Sequence, residues 1–417
     1  MHKIERLLHT LAPKGVEFKT LEEVFEIRNG YTPSKNNPEF WKNGTIPWFR
    51  MEDIRENGRI LKDSIQHITP KALKGKKLFP KNSIIISTTA TIGEHALLIV
   101  DSLANQRFTF LSKKANCDIA LDMKFFFYQC FLLGEWCKNN TNVSGFASVD
   151  MTAFKKYKFP IPPLEIQQEI VKILDAFTEL NTELNTELNA RKKQYQYYQN
   201  MLLDFNGINQ NHKDAKEKLA QKTYPKRLKA LLQTLAPKGV GFRKLGEVCD
   251  FQKGKSITKK AVTFGKVPVI SGGRQPAYYH NEANRSGETI AISSSGVYAG
   301  YVSYWDIPVF LADSFSVSPK QKTLMPKYLF HYLTTQQDAI HATKSTGGIP
   351  HVYSKDLQNF LIPIPPLEIQ QEIVTILDQF SALTTDLQAG IPAEIKARKK
   401  QYEYYREKLL AFKPLLK

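Results

Sequence analysis

Gly254-Lys255-Ser256 has the residue order that closes a phosphate-binding P-loop. The position five residues before Gly254 is Cys249 and not glycine, so the backbone cradle that loop needs is missing. Glu394-Ile395-Lys396, with Asp386 upstream, resembles the acidic and lysine set of a nuclease. It falls on a helical repeat, where a solvated ion pair is the simpler reading. Ile161-Pro162-Pro163-Leu164 carries the two prolines of an amino-methyltransferase NPP[YF] element but neither its polar residue nor its aromatic ring. The four cysteines (Cys117, Cys130, Cys137 and Cys249) form no CxxC pair, and the nine histidines show no metal-ligand spacing. No nucleophile elbow and no glycine-rich dinucleotide loop appears. The sequence therefore offers no catalytic residues, no metal ligands and no cofactor site, and the chain reads as a binding protein and not an enzyme.

What it binds is suggested by charge. The 417 residues carry a net charge of +18. An excess of this size favours a polyanion, because each neutralised phosphate releases a counterion. A solvated basic surface without a partner is the bland alternative. The hydrophobic fraction of 42% and charged fraction of 24% suit an ordinary soluble globular protein, and few cysteines suit a reducing cytosol. The N-terminus is charged from its first residues. The longest apolar run, 125–136, is too short to span a bilayer, is interrupted by Gln129, Gly134 and Glu135, and reads as a buried helix. A cytoplasmic location and no membrane partner are expected.

The chain repeats itself. LAPKGVEFKTLEEV at 11–24 returns as LAPKGVGFRKLGEV at 235–248. PIPPLEIQQEIVKILDAF at 160–177 returns at 363–380 with changes only at Lys172/Thr375 and Ala176/Gln379. ARKKQYQYYQNMLLDF at 190–205 returns as ARKKQYEYYREKLLAF at 397–412. Between these blocks the two halves differ in length and share almost no register. One scaffold presenting two different surfaces fits this layout. A duplicated enzyme would repeat its chemistry in both halves.

After the prolines, apolar residues recur at three- and four-residue steps from Ile166 to Phe205, which predicts one amphipathic helix of about 40 residues. The second copy runs from Ile369 to Leu387 and resumes at Ile395. Gly390 and Pro392 lie between, so a break or kink is expected there. Two such stripes most simply pack as an antiparallel coiled coil. Within the first helix TELN occurs three times in tandem at 178–189. Four residues are close to one helical turn, so copy number can change while the stripe through Leu180, Leu184 and Leu188 survives. This reads as a spacer, a ruler of adjustable length; slippage of a DNA repeat without consequence is the alternative. Short helices near residues 1–11 and 226–235 are expected to pack near the coiled coil.

The fold class expected is α+β, with two globular α/β domains joined by two long antiparallel coiled-coil helices in a pseudo-two-fold repeat. The segments are 1–159, first variable domain with the N-terminal segment; 160–221, central coiled-coil helix and linker; 222–362, second variable domain; and 363–417, C-terminal coiled-coil helix. Strands are expected at 84–87, 108–111, 289–293, 298–304 and 308–311. Polar, aromatic and basic residues crowd the intervening loops. In the first region the DNA-binding candidates are Tyr31, Thr32, Ser34, Lys35, Arg50, Lys76, Lys77, Thr89, Thr91, Gln106 and Arg107. In the second they are Lys253, Lys255, Ser256, Gly273, Arg274, Tyr278, Tyr279, Ser294, Ser295, Thr346 and Gly347. Such side chains and glycine amides can grip phosphates, while Arg and Gln can read base edges. Each loop alone could equally be a plain polar turn.

The duplication, the PIPPLEIQQEIV helices and the tandem TELN together resemble the specificity subunit of type I restriction–modification enzymes. The likeness covers nearly the whole chain and is strongest at 159–174 and 360–377. GTIPWFRMEDI at 44–54 and residues 287–319 resemble the two recognition regions. The resemblance implies that each variable domain, 1–159 and 222–362, is a target recognition domain reading one half of an asymmetric bipartite site in double-stranded DNA. It implies helices that hold the domains apart and dock two adenine methyltransferase (modification) subunits, with restriction (translocase/endonuclease) subunits joining them. No cofactor is then expected in this chain; S-adenosylmethionine, ATP and Mg belong to the partner subunits. Two rivals remain: a fused methyltransferase or nuclease, and a coiled-coil adaptor with basic protein-binding domains.

Overall fold

The computed structural model describes residues 2–142, 147–209, 214–320, 322–345, 348–385 and 390–415. Contacts divide the chain into two compact units, Met1–Glu183 with Lys396–Lys417, and Leu184–Ile395. The first unit holds helix α1 (His2–Leu11) and strands β1 (Glu17–Thr20), β2 (Phe25–Asn29), β3 (Ile46–Phe49), β4 (Ile60–Leu61), β5 (His67–Ile68), β6 (Ser83–Ser87), β7 (His95–Leu98), β8 (Leu103–Ala104) and β9 (Phe108–Lys113). After α2 (Met123–Asn139) come β10 (Thr141–Asn142), β11 (Ser148–Val149) and β12 (Lys158–Ile161). Helix α3 (Leu164–Leu203) runs unbroken for 40 residues, the length its apolar stripe predicts.

The second unit holds α4 (Lys226–Leu235) and strands β13 (Gly241–Lys244), β14 (Cys249–Lys253), β15 (Val267–Ile270), β16 (Tyr278–His280), β17 (Thr289–Ser293), β18 (Val302–Trp305), β19 (Phe310–Leu311) and β20 (Ser314–Pro319). Then follow α5 (Pro326–Thr335), β21 (Leu361–Ile364) and α6 (Leu367–Thr385); after Gly390 comes α7 (Ile391–Leu410), which from Lys396 onward belongs to the first unit. The second apolar stripe is described as two helices, the first to Thr385 and the second from Ile391, with Gly390 in a bend just before it and Pro392 in its first turn. Leu387 and Asp386 lie outside the described residues.

The two recognition regions share a topology that their sequences hide. One sheet orders β2-β9-β6-β7-β4, and its counterpart orders β14-β20-β17-β18. The smaller sheets, β5-β3-β8 and β16-β15-β19, each pair their middle strand antiparallel to one neighbour and parallel to the other. Apolar strands such as Ile84-Ile85-Ile86 and Ile290-Ala291-Ile292 are buried on both faces. The apolar run 125–136 lies within α2 and fills the first core with Phe125, Phe126 and Cys130. Two strand expectations are met in part: of 308–311 only Phe310–Leu311 is a strand, and 298–304 is shortened. Residues 298–301 form a turn, with Gly300 at φ 86°, and the strand starts only at Val302.

The repeated blocks make the same contacts twice. Gln167 is fully buried: its Oε1 accepts from Asp122 N–H at 2.8 Å, and its Nε2 donates to the carbonyls of Ala120 and Pro162 at 2.9 and 2.7 Å. Gln370 does this to Met325 N–H and the carbonyls of Thr323 and Pro365 at 2.8, 2.8 and 2.7 Å. Asp175 binds Lys124 and the Tyr128 hydroxyl, and Asp378 binds Lys327 and His331. Lys3 of α1 pairs with Glu169, and Arg227 of α4 pairs with Glu372, which ties both short helices to the long ones.

The tail helices are exchanged between repeats. In the first unit Phe177 stacks at 5.5 Å on Tyr405, which belongs to the second ARKKQY copy. In the second unit Phe380 stacks at 4.9 Å on Tyr198 of the first copy. One changed inward position follows its host. Arg406 lies 4.3 Å from the Phe131 ring, and its counterpart Gln199 donates to the His331 carbonyl at 3.1 Å. In the TELN stretch Leu184 is buried, and Leu180 and Leu188 are half-buried.

Candidate nucleic-acid interface

In the first domain strand register gathers the polar loops at one end of the sheet. Asn29 pairs with Thr109, Ser87 with Phe108, and Ile86 with His95. The segment after β2, the β6–β7 connection and the β8–β9 turn must therefore leave from the same edge. Parallel pairing of Phe49 with Ala104 sends Arg50 out beside them, and Asn105 N–H donates to the Phe49 carbonyl at 3.0 Å. Tyr31 N–H donates to Ala104 at 2.7 Å, and Thr88 N–H to Arg107 at 3.1 Å. Gly30 is required here, since a Cβ would lie 2.2 Å from the Asn105 carbonyl oxygen.

On this scaffold the Thr32 hydroxyl donates to Gln106 Oε1, and Lys76 Nζ sits 4.2 Å from the Tyr31 ring centre. Thr88, Thr109 and Asn29 form a hydroxyl–amide chain at 3.0 and 3.1 Å. Arg50 is half-buried, 5.9 Å from the Trp48 ring centre, with Nε 3.9 Å from Glu52. Thr89 pairs through its backbone with Ser148, and Thr91 lines an adjoining cleft of about 660 Å³ with Arg55, Arg59, Glu94 and Lys138. Gln106, Arg107, Lys77, Ser34 and Lys35 are exposed. Ser34 gives its carbonyl to Trp41 Nε1 at 2.9 Å.

The second domain repeats the construction with other side chains. Lys253 pairs with Phe315, Ser293 with Ser314, Ile292 with Val302, and Ile270 runs parallel to Leu311. Residues 254–256, 271–274, 294–301 and 312–313 thus share one end. Gly254 plays the part of Gly30, with a Cβ position 2.4 Å from the Ala312 oxygen. Ser271 donates to Asp313 Oδ2 at 3.2 Å, Ser294 N–H to the Asp313 carbonyl at 2.9 Å, and Lys255 N–H to Leu311 at 2.9 Å. Ser295 pairs with His351. The guanidinium of Arg274 lies 5.0 Å from the Tyr298 ring centre and 5.6 Å from that of Tyr301.

The structure brings together Lys253, Lys255, Ser256, Gly273, Arg274, Ser294 and Ser295. Tyr278 and Tyr279 lie on β16: Tyr278 is half-buried against Val269 and Phe310, and Tyr279 is 54% exposed. Thr346 and Gly347 lie outside the described residues. Sequence reasoning missed Tyr298, Tyr301 and Asp313. Gly296 and Gly300, both at positive φ, bracket Tyr298 and immediately precede Tyr301, and were the available sign of a turn. Arg285 was also missed. Its nitrogens are all used on Ser316 and on the carbonyls of Gln252, Lys253 and Asn284, so it clamps the sheet edge. Among the described residues no cluster could hold a metal ion, and no helix is long and apolar enough to cross a membrane.

A model of the family described as "Type I restriction modification DNA specificity domain" matches residues 13–193 and 237–397. The chain is 41% identical over 387 residues to the type I restriction enzyme EcoprrI specificity subunit of Escherichia coli, covering 89% of each. It is 33% identical over 308 residues to the EcoR124I/EcoR124II specificity subunit of Escherichia coli, covering 66% of this chain and 69% of that one. In fold it resembles the crystal structure of a type I restriction–modification S subunit from M. genitalium, with a TM-score of 0.57, 19% identity, and coverage of 95% of this chain and 96% of that one.

Proposed function

This chain belongs to the type I restriction–modification DNA specificity family, whose members recognise DNA and leave catalysis to other subunits, and from that premise we propose how it does so. The two loop ends read the two halves of an asymmetric, bipartite site. The observation that carries this is the shared strand framework with different polar furniture at its equivalent ends. One framework fixes how each domain addresses DNA; unlike side chains give unlike half-sites. In the first domain Thr32, Arg50, Lys76, Thr89, Gln106 and Arg107 form the contact surface. In the second it is Lys253, Lys255, Ser256, Gly273, Arg274, Ser294 and Ser295.

The segments 160–221 and 363–417 serve as spacer and dock between recognition domains at 1–159 and 222–362. Their anchors at Gln167 and Gln370, and the lysine pairs of Asp175 and Asp378, recur in both halves, which suits two copies of one modification subunit. That subunit supplies S-adenosylmethionine and methylates adenine; restriction subunits supply ATP- and Mg-dependent cleavage. The complex works in the cytoplasm.

Methylation sequencing of DNA from cells expressing this chain with its modification subunit tests the reading. The expected result is one asymmetric bipartite adenine motif that vanishes when this chain is removed. A motif unaffected by its removal overturns the reading and favours an adaptor.

A further inference from the structure

The second domain contains four arginines: Arg227, Arg243, Arg274 and Arg285. Three are committed to the fold. Arg227 pairs with Glu372 at 3.1 Å, Arg243 with Glu247 at 2.8 Å, and Arg285 is spent on Ser316 and backbone carbonyls. Arg274 differs. It is exposed, and among the described residues no carboxylate pairs with it.

It is nevertheless held in place. Tyr298 and Tyr301 present their rings at 5.0 and 5.6 Å from its guanidinium carbon. Cation–π contact with two rings restricts the guanidinium while using none of its N–H donors. The loop that carries Arg274 is pressed onto the tyrosine loop at Gly272, where a Cβ would lie 2.5 Å from the Ser295 oxygen. Tyr298 and Tyr301 belong to a turn closed by Tyr301 N–H donating to the Tyr298 carbonyl at 2.9 Å. The side chain is thus oriented before any ligand arrives, at the loop end that also carries Lys255 and Ser294.

We propose that Arg274 is a specificity-determining residue that reads a guanine in the half-site of the second domain, donating two parallel hydrogen bonds to N7 and O6 on the major-groove edge. This rests on the DNA-recognition reading above and adds the base and the residue. A planar fork with free donors matches guanine's paired acceptors, a match that lysine's point charge does not reproduce. Phosphate neutralisation has other candidates nearby: Lys253, Lys255, Lys259, Lys260 and Lys266 are all exposed. Tyr298 and Tyr301 are positioning residues, since orienting the fork in advance lowers the ordering cost of binding.

The test is methylation sequencing of the assembled methyltransferase carrying the wild-type chain, Arg274→Ala, Arg274→Lys, or the double change Tyr298→Leu with Tyr301→Leu. Competition binding with duplexes that differ at the single guanine pair reads the same ratio where methylation is too weak to map. Arg274→Ala should lower the preference for one guanine by roughly ten- to a hundredfold. The other half-site and the spacer should be unchanged. Arg274→Lys should retain more binding than Arg274→Ala but not the preference, and the double tyrosine change should lower it partially. Two results would overturn the proposal: a guanine preference that survives Arg274→Ala while binding weakens evenly, which is phosphate contact, or a half-site with no guanine to lose. Absence of any bipartite motif in the wild type would instead overturn the recognition reading itself.

Discussion

Each domain has one end that the repeats share and one end that they do not. At the helix side, Gln167 and Gln370 make the same three hydrogen bonds, and Asp175 and Asp378 receive the same lysine. At the loop side, one domain displays a threonine–asparagine chain and a lysine over Tyr31, and the other an arginine over two tyrosines. Gly30 and Gly254 correspond closely there, as do Gly93 and Gly300 at positive φ, because backbone geometry and not ligand chemistry demands them. Packing and buried hydrogen bonds accept few substitutes, whereas an exposed loop accepts whatever side chain its ligand requires. The contrast separates residues that hold the domain from residues that read.

The strongest way to break that comparison is to change the spacer alone. Deleting residues 186–189, one TELN copy, shortens the helix by roughly 6 Å, against about 3.4 Å per base pair. The methylated motif should lose one or two base pairs of spacer and keep both half-sites. An unchanged spacing in the sequenced motif would sink the ruler.

Next in size are the shared anchors. Gln167→Ala and Gln370→Ala each strand a buried N–H and two carbonyls, and each should cost about 3 kcal/mol in urea unfolding. The two losses should be alike and the motif should not move. Strongly unequal costs would show that the two helix-side ends are not equivalent.

A third prediction distinguishes the domains by acid. His95 is fully buried on β7, where the second domain has Val302 on β18. Burial, aided by the charge of Arg59, pushes its imidazole down to about 3. Its folded-state value is depressed, so the unfolded chain binds the extra proton. The stabilisation is complete above the unfolded value near 6.5 and is lost progressively as pH falls toward 3. At pH 5 the first domain should be weaker by about 2 kcal/mol. Tryptophan fluorescence reports mostly that domain, which holds Trp41, Trp48 and Trp136. The His95→Leu chain should lose this pH dependence; a persistent slope would place the acid lability elsewhere.

The smallest effect concerns a single phosphate contact. Lys76→Ala should weaken binding evenly across sequences and reduce the salt slope of log K by about 1. A changed half-site in that variant would make Lys76 a reader and blur the division between gripping and reading.

The sequence alone determined the repeats, the length of α3 and the start of α7 after Gly390, because these follow from period, proline and glycine placement, which are local. It also supplied most of the loop residues, since polar turns between apolar strands are visible without knowing how the strands pair. It did not reveal that the two variable regions share one topology. Pairings such as Asn29 with Thr109 and Lys253 with Phe315 join distant segments, and a buried strand needs only to be apolar. Tyr298 was misread as a strand residue because aromatic alternation looks alike in a strand and in a glycine-bracketed turn. Tertiary structure decided that each tail helix closes the domain of the other repeat, that Arg285 clamps a sheet edge, and that Arg274 lies between two tyrosines. Each of these depends on which segments meet, and that is fixed by long-range packing that no local pattern encodes.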